Sequence, residues 1–117
     1  MLDQLSNQLD SYLTLVSQRQ KLVASNIANA DTPGYQTKDV DFEAQLHAAL
    51  ETPGANPSTP LAIAVPGLRV KNDGNNVDLD RESRLLSENA MRFNMAAQFL
   101  RANLKDLHTA ISGGAGA

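Results

Sequence analysis

Residues 25–35 read Ser25-Asn26-Ile27-Ala28-Asn29-Ala30-Asp31-Thr32-Pro33-Gly34-Tyr35. The stretch closes an apolar-striped helix and then forbids its continuation. Pro33 has no N–H to give and disfavours the α region for Thr32. Gly34 permits a positive φ without steric cost, so Pro33-Gly34 fits the two central positions of a type II turn. Asn26, Asn29, Asp31 and Thr32 carry short polar side chains able to bond the backbone groups left open where a helix ends. The residues predict a built corner, made by Asn26, Ile27, Ala28, Asn29, Asp31, Thr32, Pro33, Gly34 and Tyr35.

Toward the N-terminus, residues 2–27 read as one helix. Leu2, Leu9, Val16 and Val23 recur every seventh residue, and Leu5 and Tyr12 begin the complementary set, which continues with Arg19 and Asn26. The pattern is an amphipathic helix whose seam turns partly polar in its second half. Near the other end, Leu86, Ala90, Phe93, Ala97, Leu100, Leu104, Leu107 and Ile111 keep an alternating four–three spacing with every position apolar. That regularity predicts a second long helix with a coiled-coil-like packing and assembly seam. Asp78 or Asp80 suits its N-cap, and Gly113-Gly114 is expected to stop it.

Between these helices the patterning weakens. Phe42, Leu46 and Ala49 or Leu50 have helical spacing over about 41–50. Residues 52–60, Thr-Pro-Gly-Ala-Asn-Pro-Ser-Thr-Pro, hold three of the five prolines and predict irregular chain. Leu61–Val65 and Leu68–Val70 are candidate short strands, and Asp73-Gly74 is a turn signal. The expected fold is mainly α: N- and C-terminal helices forming an antiparallel coiled-coil-like hairpin, with an irregular middle region that has room for a short helix or hairpin. The organisation follows as N-terminal helix and corner (1–35), middle region (36–77), C-terminal helix (78–112) and flexible tail (113–117).

With 117 residues, no Trp and 4% aromatic content, the chain has few large anchors for a compact globule, which favours helix-on-helix packing. A net charge of −3 supplies no basic field for nucleic acid. The absence of cysteine excludes disulfides and thiolate metal sites. No apolar run reaches the roughly 20 residues that span a bilayer. The opening Met-Leu-Asp-Gln-Leu-Ser-Asn-Gln-Leu-Asp lacks the basic and apolar regions of a Sec signal peptide.

No catalytic or ligand-binding motif emerges. In Asp73–Asp80 the glycine is second rather than sixth, and the twelfth position is Arg84, so the calcium-loop pattern fails. His47 and His108 have no second histidine at metal-pair spacing. The serines lack a nearby His–carboxylate signature, and no glycine-rich phosphate loop follows a strand. Catalytic residues, cofactors, metals and small-molecule substrates are all expected to be none.

The run Ser25–Tyr35 closely resembles the N-terminal signature of the axial proteins of the bacterial flagellum, the rod, hook and hook-associated subunits. A second segment, Gly74-Asn75-Asn76-Val77-Asp78-Leu79-Asp80-Arg81-Glu82, resembles the sequence leading into the C-terminal helix of one proximal-rod family. Its Asn76-Val77-Asp78-Leu79-Asp80 order favours that family over the neighbouring FlgC family. The resemblance implies a structural subunit of the basal-body rod, transmitting torque in the periplasmic drive shaft. It also implies export through the flagellar type III apparatus, and partners among copies of itself, FlgC-like subunits, the rod adaptor FliE and the MS ring. Alternative readings are another axial or rod-adaptor subunit, or a cytoplasmic helical adaptor dimerising through its C-terminal seam.

Overall fold

Two long helices lie antiparallel along a molecule with extents of 70 × 23 × 17 Å in the computed structural model, which describes residues 2–51 and 62–116. Helix α1 is Leu2–Ala28, strand β1 Lys38–Asp39, helix α2 Phe42–Glu51, strand β2 Ile63–Ala64 and helix α3 Leu79–Gly116. The mainly α hairpin expected from the two seams is the architecture found. Helix α2 falls within one residue of its expected span. Residues 52–60 and Leu61 lie outside the described residues.

The middle region does contain one small hairpin, and its pairing differs from the sequence expectation. Strand β2 pairs antiparallel with β1, with Lys38 opposite Ala64 and Asp39 opposite Ile63. Leu68–Val70 forms no strand. Two-residue strands carry too little side-chain alternation to register as a period, which is why β1 was invisible in the sequence.

Helices α2 and α3 each begin where a side chain caps them. Asp78 Oδ1 accepts from the N–H groups of Asp80 at 3.0 Å and Arg81 at 3.2 Å, making Asp78 the N-cap of α3. Asp41 does the same for α2 through the Ala44 N–H. Helix α3 does not stop at Gly113-Gly114 but runs through Gly116. Glycine weakens a helix without breaking it.

The core lies between α1 and α3, where Leu15, Val16, Val23, Leu85 and Ala96 are buried. Helix α2 buries no residue and rests on α1 through Phe42. The Phe42 ring meets Tyr12 edge-on at 6.2 Å and lies between the guanidinium groups of Arg19 and Arg92, each about 5 Å from its centre. Such cation–π contacts hold a half-exposed ring without a deep pocket.

Helix α3 presents to α1 a different face from the apolar row. The inward positions are Glu82, Leu85, Asn89, Arg92, Ala96 and Asn103, and all but Glu82 stand one residue before a member of that row. One residue is roughly 100° of rotation. Leu86, Ala90, Phe93, Leu104 and Ile111 are therefore exposed, and Ala97, Leu100 and Leu107 half-buried. Polar partners set this rotation: Asn26 donates to Glu82, Arg92 to the Tyr12 hydroxyl, and Asn103 to Ser6 Oγ. On α1, Val16 and Val23 are buried, Leu9 and Tyr12 half-buried, and Leu5 exposed; the Leu2 side chain lies outside the described residues. No described helix is long and apolar enough to cross a membrane.

Candidate functional site

The corner closes as a type II turn. Gly34 has φ of 75°, and the Tyr35 N–H reaches the Thr32 carbonyl at 3.2 Å across Pro33-Gly34. The last carbonyls of α1 are taken up locally. Ser25 accepts from the Asn29 N–H at 3.0 Å and from Asn29 Nδ2 at 2.8 Å, while Thr32 Oγ1 bonds Asn29 Oδ1 at 3.0 Å. Asp31, Thr32 and Pro33 face solvent, Ala28 is exposed and Ile27 half-buried.

Residues 73–77 lock onto this corner. The Gly34 N–H donates to the Asp73 carbonyl at 2.9 Å. Asn75 is fully buried; its Nδ2 donates to the carbonyls of Asn29 at 2.8 Å and Thr32 at 2.9 Å, and its Oδ1 accepts from the Val77 N–H at 2.8 Å. Asn76 Oδ1 takes the Thr37 N–H at 2.6 Å, and Asn76 Nδ2 reaches Gln36 Oε1 at 2.9 Å. An amide with both ends bonded substitutes for the missing backbone ladder between two loop segments. The two segments that resemble flagellar sequences are thus halves of one clasp, some 40 residues apart in the chain.

Behind the clasp sits a buried charged network joining α1, β1 and α3. Arg19 makes a two-pronged contact with Asp39, Nε to Oδ1 and Nη2 to Oδ2, each at 3.0 Å. Arg81 Nη2 meets the same Oδ2 at 2.8 Å and its Nη1 meets Glu82 Oε1 at 2.6 Å. Glu82 Oε2 accepts from Asn26 Nδ2 at 3.2 Å, and Asn26 Oδ1 accepts from the Tyr35 hydroxyl at 2.9 Å. Burial works to raise the Asp39 carboxyl, but bonds from Arg19, the Val40 N–H and Arg81 outweigh it and hold it below its ordinary value. Two carboxylates alternate with two guanidinium groups, so the network is internally neutral.

The structure brings Asn26, Asn29, Thr32, Gly34, Tyr35 and Asn76 into this clasp, with Asp78 capping the helix beside it. Leu79 and Asp80 point outward and Val77 is buried. Arg19, Thr37 and Asp39 were missed as site residues, and Asn75, Arg81 and Glu82 were read only as part of the second resembling segment. The signal for some was present: Arg19 and Asn26 interrupt the α1 seam, and Glu82, Asn89 and Asn103 share a seven-residue period. Among the described residues no group of His, Asp and Glu could hold a metal ion. His47 pairs with Glu51, at an exposed 3.1 Å contact.

Residues 13–36, the second half of α1 and the corner, match the family described as flagella basal body rod protein. The chain is 35% identical to the flagellar basal body rod protein FlgB of Salmonella typhimurium, over 97% of this chain and 99% of the relative. The chain belongs to the FlgB family of flagellar basal body rod proteins. FlgB of Yersinia enterocolitica is 32% identical over 97% of this chain and 100% of its own, and FlgB of Escherichia coli 31% over 97% and 99%. As a family member the chain is a structural subunit of the flagellar basal body rod, assembled with other rod components. The family match covers Asn26, Asn29, Thr32, Gly34 and Tyr35 but ends before Thr37, which bonds Asn76, and before Asp39 of the charged network.

Proposed function

We propose that this rod subunit occupies the proximal rod and transmits torque as part of the periplasmic drive shaft. The observation that carries the reading is the exposed apolar row on α3. Leu86, Phe93, Leu104 and Ile111 are 38–64% exposed in a protomer that already has α1 packed on the adjacent face. Large apolar side chains aligned along one helix mark a surface that neighbours cover. The neighbours are further copies of the chain, FlgC-like subunits, FliE and the MS ring, in line with the family resemblance. The chain travels through the flagellar type III apparatus. The corner, the second motif and the apolar row act together: the clasp holds the two helices at one end so that the row stays presented for assembly.

Leu104→Asp tests this reading, because Leu104 is exposed in the protomer and its charge becomes buried only when a neighbour arrives. In a strain lacking the native chain, wild type restores motility. The variant is expected to fold and be exported, yet be missing from purified basal bodies. Normal rods and swimming from the variant would remove the assembly role of the row. Retention of the wild-type chain in the cytoplasm would favour the adaptor reading instead.

A further inference from the structure

Beside the clasp, a cleft between α1 and α3 holds two amides that the protomer leaves unused. Asn89 is 1% exposed, and neither its Nδ2 nor its Oδ1 has a hydrogen-bond partner among the described residues. Gln20 sends Nε2 toward the Leu86 carbonyl at 3.4 Å and leaves its buried Oε1 unpaired. Both residues line one cleft of about 450 Å³, whose apolar walls include Val16, Ala24, Ala90 and Phe93. A buried amide with nothing to bond destabilises a folded chain, whereas an apolar side chain of similar shape would not. These two amides therefore point to an occupant that carries an amide within apolar surface.

The chain itself carries such a surface. Met91, Met95, Gln98 and Ala102 follow helical spacing on α3 and all are exposed, Met91 at 65% and Met95 at 56%. At about 100° per residue, this row lies on the far side of α3 from Asn89. Methionines adapt their shape to an irregular cleft, and Gln98 offers both a donor and an acceptor.

We propose that the Asn89–Gln20 cleft of one copy receives the Met91–Ala102 face of a second copy, with Gln98 of the incoming helix bonded to Asn89. The reciprocal amide bonds fix the axial register, which an apolar row alone would leave free to slip by a turn. Cleft and occupant are on different faces of the same chain, so the contact is head to tail and leaves a free cleft and a free face at every stage. The inference rests on the rod-subunit reading and names the contact by which copies would meet.

Sedimentation of the full-length chain and rod incorporation in cells read this separately. Asn89→Leu is expected to melt no lower than wild type while weakening self-association by on the order of tenfold, the effect of one lost hydrogen bond. Gln98→Leu, at an exposed position where folding is not at stake, has the same effect on association. An equimolar mixture of the two variants forms a one-to-one pair and stops, because one variant keeps the face and the other the cleft. A lower melting temperature in Asn89→Leu would mean that the protomer already satisfies the amide, and would overturn the proposal. So would unchanged association in either variant, or a wild-type chain that stays monomeric at its highest soluble concentration. Lost rod incorporation with unchanged self-association would put a different chain in the cleft and overturn it too. The rod-subunit reading fails on a different result, normal motility in a strain that lacks the chain.

Discussion

Gly34 and Gly74 face one another where the two halves of the clasp cross. Both have positive φ, 75° and 86°, but their surroundings differ. A Cβ on Gly34 would meet nothing within 4 Å, so only the backbone conformation resists substitution there. A Cβ on Gly74 would come within 3.3 Å of the Gly34 Cα, which is backbone and cannot swing away. At Gly34, valine should therefore cost about 1–3 kcal/mol through φ alone, and asparagine much less because it tolerates the left-handed region. Gly74→Asn should not enjoy that relief, since its Cβ still meets the neighbouring chain. The expected order of melting temperatures is wild type, Gly34→Asn, then Gly34→Val and Gly74→Asn well below. Equal melting of Gly34→Asn and Gly34→Val would show that φ at this position does not govern the corner.

At the scale of the elements, Asp39 is the point where β1 is tied to both long helices. Asp39→Asn keeps the shape but leaves Arg19 and Arg81 without their shared carboxylate. Both arginines are partly screened, with side chains 15% and 17% exposed. The expected loss is about 2–3 kcal/mol, below the full value for a deeply buried pair. The pH dependence has a definite sign. The folded-state Asp39 carboxyl is depressed, so its contribution is fully present above the unfolded value near 4 and disappears as pH falls through the lower folded value. Glu82, Arg19 and Arg81 face the same site. Acid titration of unfolding should show a loss of stability below about pH 4 that Asp39→Asn lacks. Parallel curves for the two proteins would remove Asp39 as the origin. The elements themselves were legible unevenly. Helix α1, its end at the corner and α3 stood out because apolar residues recur over many turns. The clasp did not, because Asn75, Thr37 and Asp39 derive their roles from partners about 40 residues away, and no local period encodes such a pairing. The α3 row was correctly read as apolar but its direction was not. The rotation is set by Glu82, Arg92 and Asn103, polar residues that a hydrophobic pattern counts as solvent-facing.

Over the whole molecule the fastening is lopsided. At the clasp end, buried amides and ion pairs join α1, β1 and α3. At the far end the described polar ties between α1 and α3 reduce to Arg92 with Tyr12 and Asn103 with Ser6, while Phe99, Leu104 and Ile111 stand exposed. Helix α3, at 38 residues against 27 for α1, also runs on past Leu2, so among the described residues its last turns have no helix opposite. A helix lacking a buried face is marginal in water, because propensity alone seldom offsets the ordering of its backbone. Hydrogen exchange in a verified monomer should therefore fall off along the hairpin. Protection is expected to be strongest at residues 23–26 and 82–89, weaker at 5–9 and weakest at 104–111, where amides should exchange near the rate of open chain. In assembled rods the far end should become protected, because neighbours then cover the row that the monomer exposes. Uniform strong protection out to residue 111 in the monomer would show that the hairpin is complete by itself, and that assembly adds nothing to the order of its terminal helices.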